Sequence, residues 1–145
     1  MENDKLKKFI KTKIREYLNE NIGNKVLYHG SNISNLSTLK PQTNKYQSIP
    51  PSIFLTTKKS VAKDYGTYIY KVKINCNNMK EIDVYGDSFH NYLSFEDKIY
   101  TAYNEGFDCV VFKNIMDSKE PNTKVPLSDI YVVFDSDNVD IVGNF

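Results

Sequence analysis

Hydrophobic and polar positions recur along this chain with two periods, and the switches between them mark out its elements. From Asp4 to Glu20, the residues Leu6, Phe9, Ile10, Ile14, Tyr17 and Leu18 fall at the three- and four-residue spacing of one helical stripe, with lysines and Glu16 elsewhere. Asn21, Gly23 and Asn24 supply the stop. The stripe predicts a helix over residues 1–24 that packs on the rest of the domain, its lysine-rich face solvated rather than meeting a membrane or a partner. Val26, Leu27 and Tyr28 then read as the end of a strand running into a turn at His29-Gly30-Ser31. Ile33 to Leu39 reads as a short helix or turn, and Lys40 to Pro51, with three prolines and no period, as an extended loop.

Further on, Ser52 to Thr56 is a short strand. Thr57 is placed to cap a helix from Lys58 to Tyr65, in which Val61, Ala62 and Tyr65 share a face and Gly66 marks the end. Tyr68, Tyr70, Val72 and Ile74 alternate with Ile69, Lys71 and Lys73, the pattern of a half-buried strand. Ile82 and Val84 suggest another short strand, followed by an irregular stretch holding His90. Ser94 and Asp97 have the spacing of a capping box, and Phe95, Ile99 and Ala102 line a helix closed by Gly106. Phe107 to Phe112 is a strand, Lys113 to Ser128 a polar loop, Ile130 to Phe134 a central strand, and Val139 to Val142 the last strand. Short strands with few helices and no regular βαβ alternation predict an α+β fold.

Composition narrows the function classes. A chain of 145 residues is long enough for one real core and too short for two. A net charge of +1 offers no electrostatic footprint for nucleic acid, and Arg15 is the sole arginine, so bidentate phosphate recognition is available at most once. The 11 tyrosines and 8 phenylalanines can line a pocket as well as fill a core. Cys76 and Cys109 form neither a zinc pattern nor a disulfide framework, and the two histidines give no metal-ligand set. With no apolar run of membrane-spanning length and no secretory apolar region, the expectation is a cytoplasmic protein in a reducing compartment.

The densest polar chemistry lies at Tyr28-His29-Gly30-Ser31, where an imidazole, a bare glycine backbone and a hydroxyl stand at a strand's mouth. That stretch, followed by Ile53-Phe54-Leu55-Thr56 and then Ala62 and Tyr65, resembles the first two signature regions of ADP-ribosyltransferases of the diphtheria toxin and poly(ADP-ribose) polymerase class. The spacing from Phe54 to Tyr65 matches that between the two tyrosine positions of the class. Gly106-Phe107-Asp108 within Ala102 to Phe112, then Asp129 to Asp135 and Asn138-Val139, is similar to the small ADP-ribosyltransferase domains of phage and mobile-element polyvalent proteins. The likeness runs over residues 26–142.

The resemblance implies split antiparallel sheets with flanking helices over residues 25–145, NAD as co-substrate, and transfer of a single ADP-ribose to a host protein. Cleavage of the nicotinamide–ribose bond develops positive charge at the anomeric carbon, which the site must stabilise. By the same resemblance His29 holds the adenosine ribose, Gly30 offers its backbone N–H and C=O to the nicotinamide amide, and Ser31 supports that amide. Tyr28 and Thr56 belong to the cofactor-binding set. Phe54 stands where the class has a stacking tyrosine, and Tyr65 forms the other wall of the slot. Tyr46 belongs to the loop that closes over the dinucleotide, with Lys45 as a candidate for its pyrophosphate. The class also has an acid at the start of the strand that here runs from Ile130. Asp129 is the expected catalytic residue there, with Ile130 or Asn138 as alternative occupants of the position, because strand neighbours face opposite ways. A module that binds NAD or ADP-ribose without turnover, or an NAD glycohydrolase, is the second reading. A nucleic-acid-directed relative is disfavoured by charge.

Overall fold

The computed structural model describes residues 2–43, 49–89, 91–117 and 125–145, and for residues 2 and 15–24 their backbone alone. Lys45, Tyr46 and His90 therefore lie outside the described residues, as does the middle of the polar loop before the central strand.

Among the described residues eleven elements follow in order: α1 (Glu2–Asn24), β1 (Leu27–Ser31), β2 (Ile53–Thr56), α2 (Lys59–Ala62), β3 (Tyr68–Ile74), β4 (Met79–Asp83), α3 (Phe95–Asn104), β5 (Cys109–Ile115), β6 (Ser128–Val133), a 3₁₀ turn (Ser136–Asn138) and β7 (Val139–Asn144). The fold is α+β. Its strands form a seven-stranded sheet in the order β4-β5-β6-β2-β1-β3-β7. Five of the neighbouring pairs are antiparallel, and β4 runs parallel to β5 through a crossover that contains α3.

The expected pair of split sheets is thus a single sheet, but one with a narrow joint. β1 pairs with β2 at Tyr28↔Thr56 alone, whereas β1 matches β3 over five residue pairs and β2 matches β6 over four. The two halves are each well laddered and touch through one rung.

Alternation along the central strands fixes two cores, one on each face. Cys109, Val111, Tyr131 and Val133 join Leu27, Ile53, Leu55, Tyr70 and Val72 on one face. Val110, Phe112, Ile130 and Val132 join Phe95, Ile99 and Ala102 of α3 on the other. Burial on both faces is why β5 and β6 read as continuous apolar runs. Both cysteines are buried and free.

Some local expectations are corrected. Residues 33–39 form bends, not a helix, because the Tyr70 hydroxyl organises the segment by accepting from the Leu36 N–H at 3.2 Å and donating to the Ile33 carbonyl at 2.6 Å. Neither α2 nor α3 takes a side-chain cap. The Thr57 hydroxyl accepts instead from the Asp129 N–H at 3.0 Å, tying the end of β2 to β6. Strand β5 continues beyond Phe112 to Ile115 through an irregularity where Asn114 takes a positive φ of 59°. The first part of the α1 stripe, Leu6 to Ile14, is not laid on the domain: every described side chain from residue 3 to residue 14 is exposed. The stripe shows that the helix is amphipathic but carries no information about what covers it.

Candidate functional site

Beside the narrow joint lies a pocket of about 380 Å³, within the range of small-molecule sites. Tyr28, His29 and Gly30 of β1, Phe54 and Thr56 of β2, and Ile130 of β6 contribute to its walls, and Ala62 and Tyr65 close one side.

The joint is narrow for a chemical reason. His29 stands two residues from Leu27 and so starts on the face opposite the pocket; its ring reaches into the gap, and Nδ1 lies 2.8 Å from the Phe54 carbonyl oxygen. A carbonyl only accepts, so Nδ1 carries the proton and Nε2 is left with a lone pair. Burial lowers the His29 pKa from 6.5, against the opposing pull of the Phe54 carbonyl, so the imidazole is held neutral. A side chain thus takes the place of a backbone rung between β1 and β2.

The same contact fixes the direction of the Gly30 backbone. Because the Phe54 carbonyl points toward β1, the polar groups of Thr56, two residues on, do so as well, and those of its partner Tyr28 point back toward β2. Gly30, two residues beyond Tyr28, therefore directs its N–H and C=O into the gap, where β2 has no paired residue to meet them.

Gly30 is also where α2 meets the sheet. A Cβ at this position would stand 2.1 Å from the Ala62 carbonyl oxygen, and one at Gly66 would stand 2.4 Å from the Ser31 backbone. The bare Cα of residue 30 is required by the helix on one side, while its amide edge stays exposed to the pocket.

The floor is aromatic. Phe54 and Phe95 stack with ring centroids 6.4 Å apart, and Phe89 meets Phe95 edge-on at 4.8 Å. Opposite them the Tyr65 hydroxyl donates to the carboxylate of Asp117, a residue only 7% exposed that also lines the pocket. Burial, reinforced by the Asp117 charge, raises the Tyr65 pKa well above its ordinary 10, so the phenol stays protonated as the donor. No lysine or arginine is among the described residues lining the pocket. A cavity with aromatic walls and, among its described lining residues, one carboxylate and no cation suits a ligand that bears or develops positive charge.

Of the residues singled out from sequence, Tyr28, His29, Gly30, Phe54, Thr56 and Tyr65 come together here. Ser31 does not line the pocket, and its hydroxyl accepts from the Ile33 N–H at 3.1 Å. Tyr46 lies outside the described residues. Asp129 does not line the pocket: it falls on the face of β6 shared with Tyr131 and Val133, and its carboxylate accepts from the Asn114 N–H at 3.0 Å. Ile130 takes the pocket position. Asn138 sits in the 3₁₀ turn, where its carbonyl accepts from the Asn75 N–H at 3.0 Å, and it does not line the pocket.

Sequence reasoning missed Asp117 and Phe89 and assigned Phe95 to a helix core alone. Asp117 stands in a polar stretch without periodicity, so nothing but the backbone's path could reveal it. Among the described residues, no group of three or more histidines, cysteines or acids is placed to hold a metal ion, and no helix is long and apolar enough to cross a membrane. No protein-family model matches the chain, and a search of curated proteins finds no significant match.

Proposed function

We propose that the protein is an NAD-dependent mono-ADP-ribosyltransferase that modifies a protein, in keeping with the phage-type domains its sequence resembles. The observation that carries this reading is the His29–Phe54 contact, which holds β1 and β2 apart and leaves the Gly30 N–H and C=O facing a pocket. A primary amide such as that of nicotinamide has the complementary acceptor and donor.

In this reading the nicotinamide ring lies on the Phe54 face, with Tyr65 as the facing wall and the His29 Nε2 accepting from a ribose hydroxyl. The aromatic floor and the Asp117 carboxylate favour the cationic ring and the positive charge that develops at the anomeric carbon as the glycosidic bond breaks. In this reading the pyrophosphate lies beyond the rim, since no lysine or arginine is among the described residues lining the pocket. With Ile130 in the strand position, Asp117 is the acid within the pocket, and it orients the ribose or accepts the proton released by the incoming nucleophile.

A second reading is favoured by that same Ile130: a module that binds NAD without transfer, or that passes ADP-ribose to water. Incubation of the protein with isotopically labelled NAD and a cell lysate separates them. Transferase activity puts one ADP-ribose mass on a discrete protein and releases nicotinamide. Nicotinamide without labelled protein favours hydrolysis. A rise in melting temperature with NAD, but no product, leaves the binding module. No thermal shift and no product would remove both readings.

A further inference from the structure

The eleven positions from Lys5 to Arg15 hold six cations and no acid. Those cations exceed the net charge of +1 carried by the whole chain, so the remainder of the protein is net acidic. On the same three turns of α1, Leu6, Phe9, Ile10 and Ile14 share one face and are 56%, 59%, 46% and 53% exposed. α1 presents these four side chains to solvent together.

We propose that α1 docks the protein on an anionic phospholipid surface, lying in the interface with Leu6, Phe9, Ile10 and Ile14 at the acyl boundary and its lysines among the headgroups. Charge complementarity selects this occupant. At 100° per residue Lys8 and Lys11 lie opposite the stripe, Lys5 and Lys7 flank it, and Lys13 falls within it between Leu6 and Phe9, its Nζ 5.6 Å from the Phe9 ring centroid. Long cationic side chains at the edge of an apolar stripe can extend their ammonium groups toward phosphates while their stems cover apolar surface.

A second copy of the chain fits less well. The stripe of six apolar residues from Leu6 to Leu18 spans less than two heptads, short of the roughly three to four that sustain a coiled coil, and pairing the stripes would bring six cations against six. A protein groove would need an apolar slot and an acidic rim of matching shape, whereas a lipid surface supplies both without shape. The stretch is far too short and too charged to span a bilayer, so the docking is peripheral.

The test is flotation of the full chain with phosphatidylserine-containing vesicles and with pure phosphatidylcholine vesicles. The expected result is at least about tenfold stronger binding to the anionic vesicles, weakened by raised salt. Phe9→Glu and Ile10→Glu should abolish it, and Lys7→Glu with Lys8→Glu should remove the preference for anionic lipid. These positions are exposed, so the thermal transition of the domain should not move. Failure to float with anionic vesicles, or binding unchanged by Phe9→Glu, would overturn the proposal. A concentration-dependent dimer that Phe9→Glu dissolves, in a protein that ignores lipid, would also overturn it and assign the stripe to self-association.

Discussion

The Cα of Gly30 and the carbonyl of Ala62 approach so closely that a single added methyl would lie 2.1 Å from that oxygen. The obstructing atom belongs to the backbone, so no rotamer change relieves the clash. Gly30→Ala should therefore push α2 off β1 and cost at least about 2 kcal/mol of stability in a denaturant titration. In the proposed reading it also loses the thermal shift with NAD, since Tyr65 follows α2. A Gly30→Ala protein as stable as the wild type would show that α2 is held less firmly than this packing requires.

His29 gives a pH dependence with a definite sign. Its folded-state pKa lies below 6.5, so below pH 6.5 the unfolded chain binds protons that the folded chain resists. The stability that rests on the neutral ring is complete above pH 6.5 and is lost as the pH falls through the folded value. Denaturation midpoints should accordingly drop on the acid side of 6.5, and His29→Gln should flatten that part of the profile. NAD affinity should fall over the same range, because a protonated Nε2 donates where the neutral ring accepts. An acid profile identical in His29→Gln would place the titration elsewhere.

Asp117 and Asp129 are predicted to behave oppositely. Asp117→Asn should lower transfer about a hundredfold while NAD still raises the melting temperature, since the shape of the pocket is kept. Tyr65→Phe, which removes the hydroxyl that donates to Asp117, should cost about 1–3 kcal/mol of stability. Asp129→Ala should leave NAD turnover within about twofold, its cost of roughly 1 kcal/mol coming from the lost anchor for the Asn114 turn. Activity abolished by Asp129→Ala and spared by Asp117→Asn would reverse the assignment.

The sequence made β5 and β6 legible because residues buried on both faces leave an unbroken apolar run, and it made the polar stretch Tyr28-His29-Gly30-Ser31 legible as a cluster but not as strand, since β1 continues to Ser31 where a turn is expected. Whether Asp129 or Ile130 faces the pocket was not legible, since it depends on which face of β6 α3 covers, a fact decided far away in the chain. The parallel pairing of β4 with β5 was hidden for the same reason: a strand's pattern states its faces, not its neighbour. Thr57 illustrates the limit of local capping rules, for its hydroxyl answers a β6 amide 72 residues on. Asp117 gave no signal at all, being one acid in a polar stretch until β5 and α2 brought it under Tyr65.

The single rung between β1 and β2 has a thermodynamic consequence. In an ordinary sheet, a ligand that seeks backbone donors and acceptors must compete with the neighbouring strand for them. At Gly30 that competitor has been set aside by an imidazole, and no residue of β2 pairs with the amide edge. A planar amide entering the gap takes the place of the missing neighbour and breaks no bond of the protein's own. Recognition there requires no rearrangement of the fold, and the specificity of the contact is that of a β-ladder reduced to one residue.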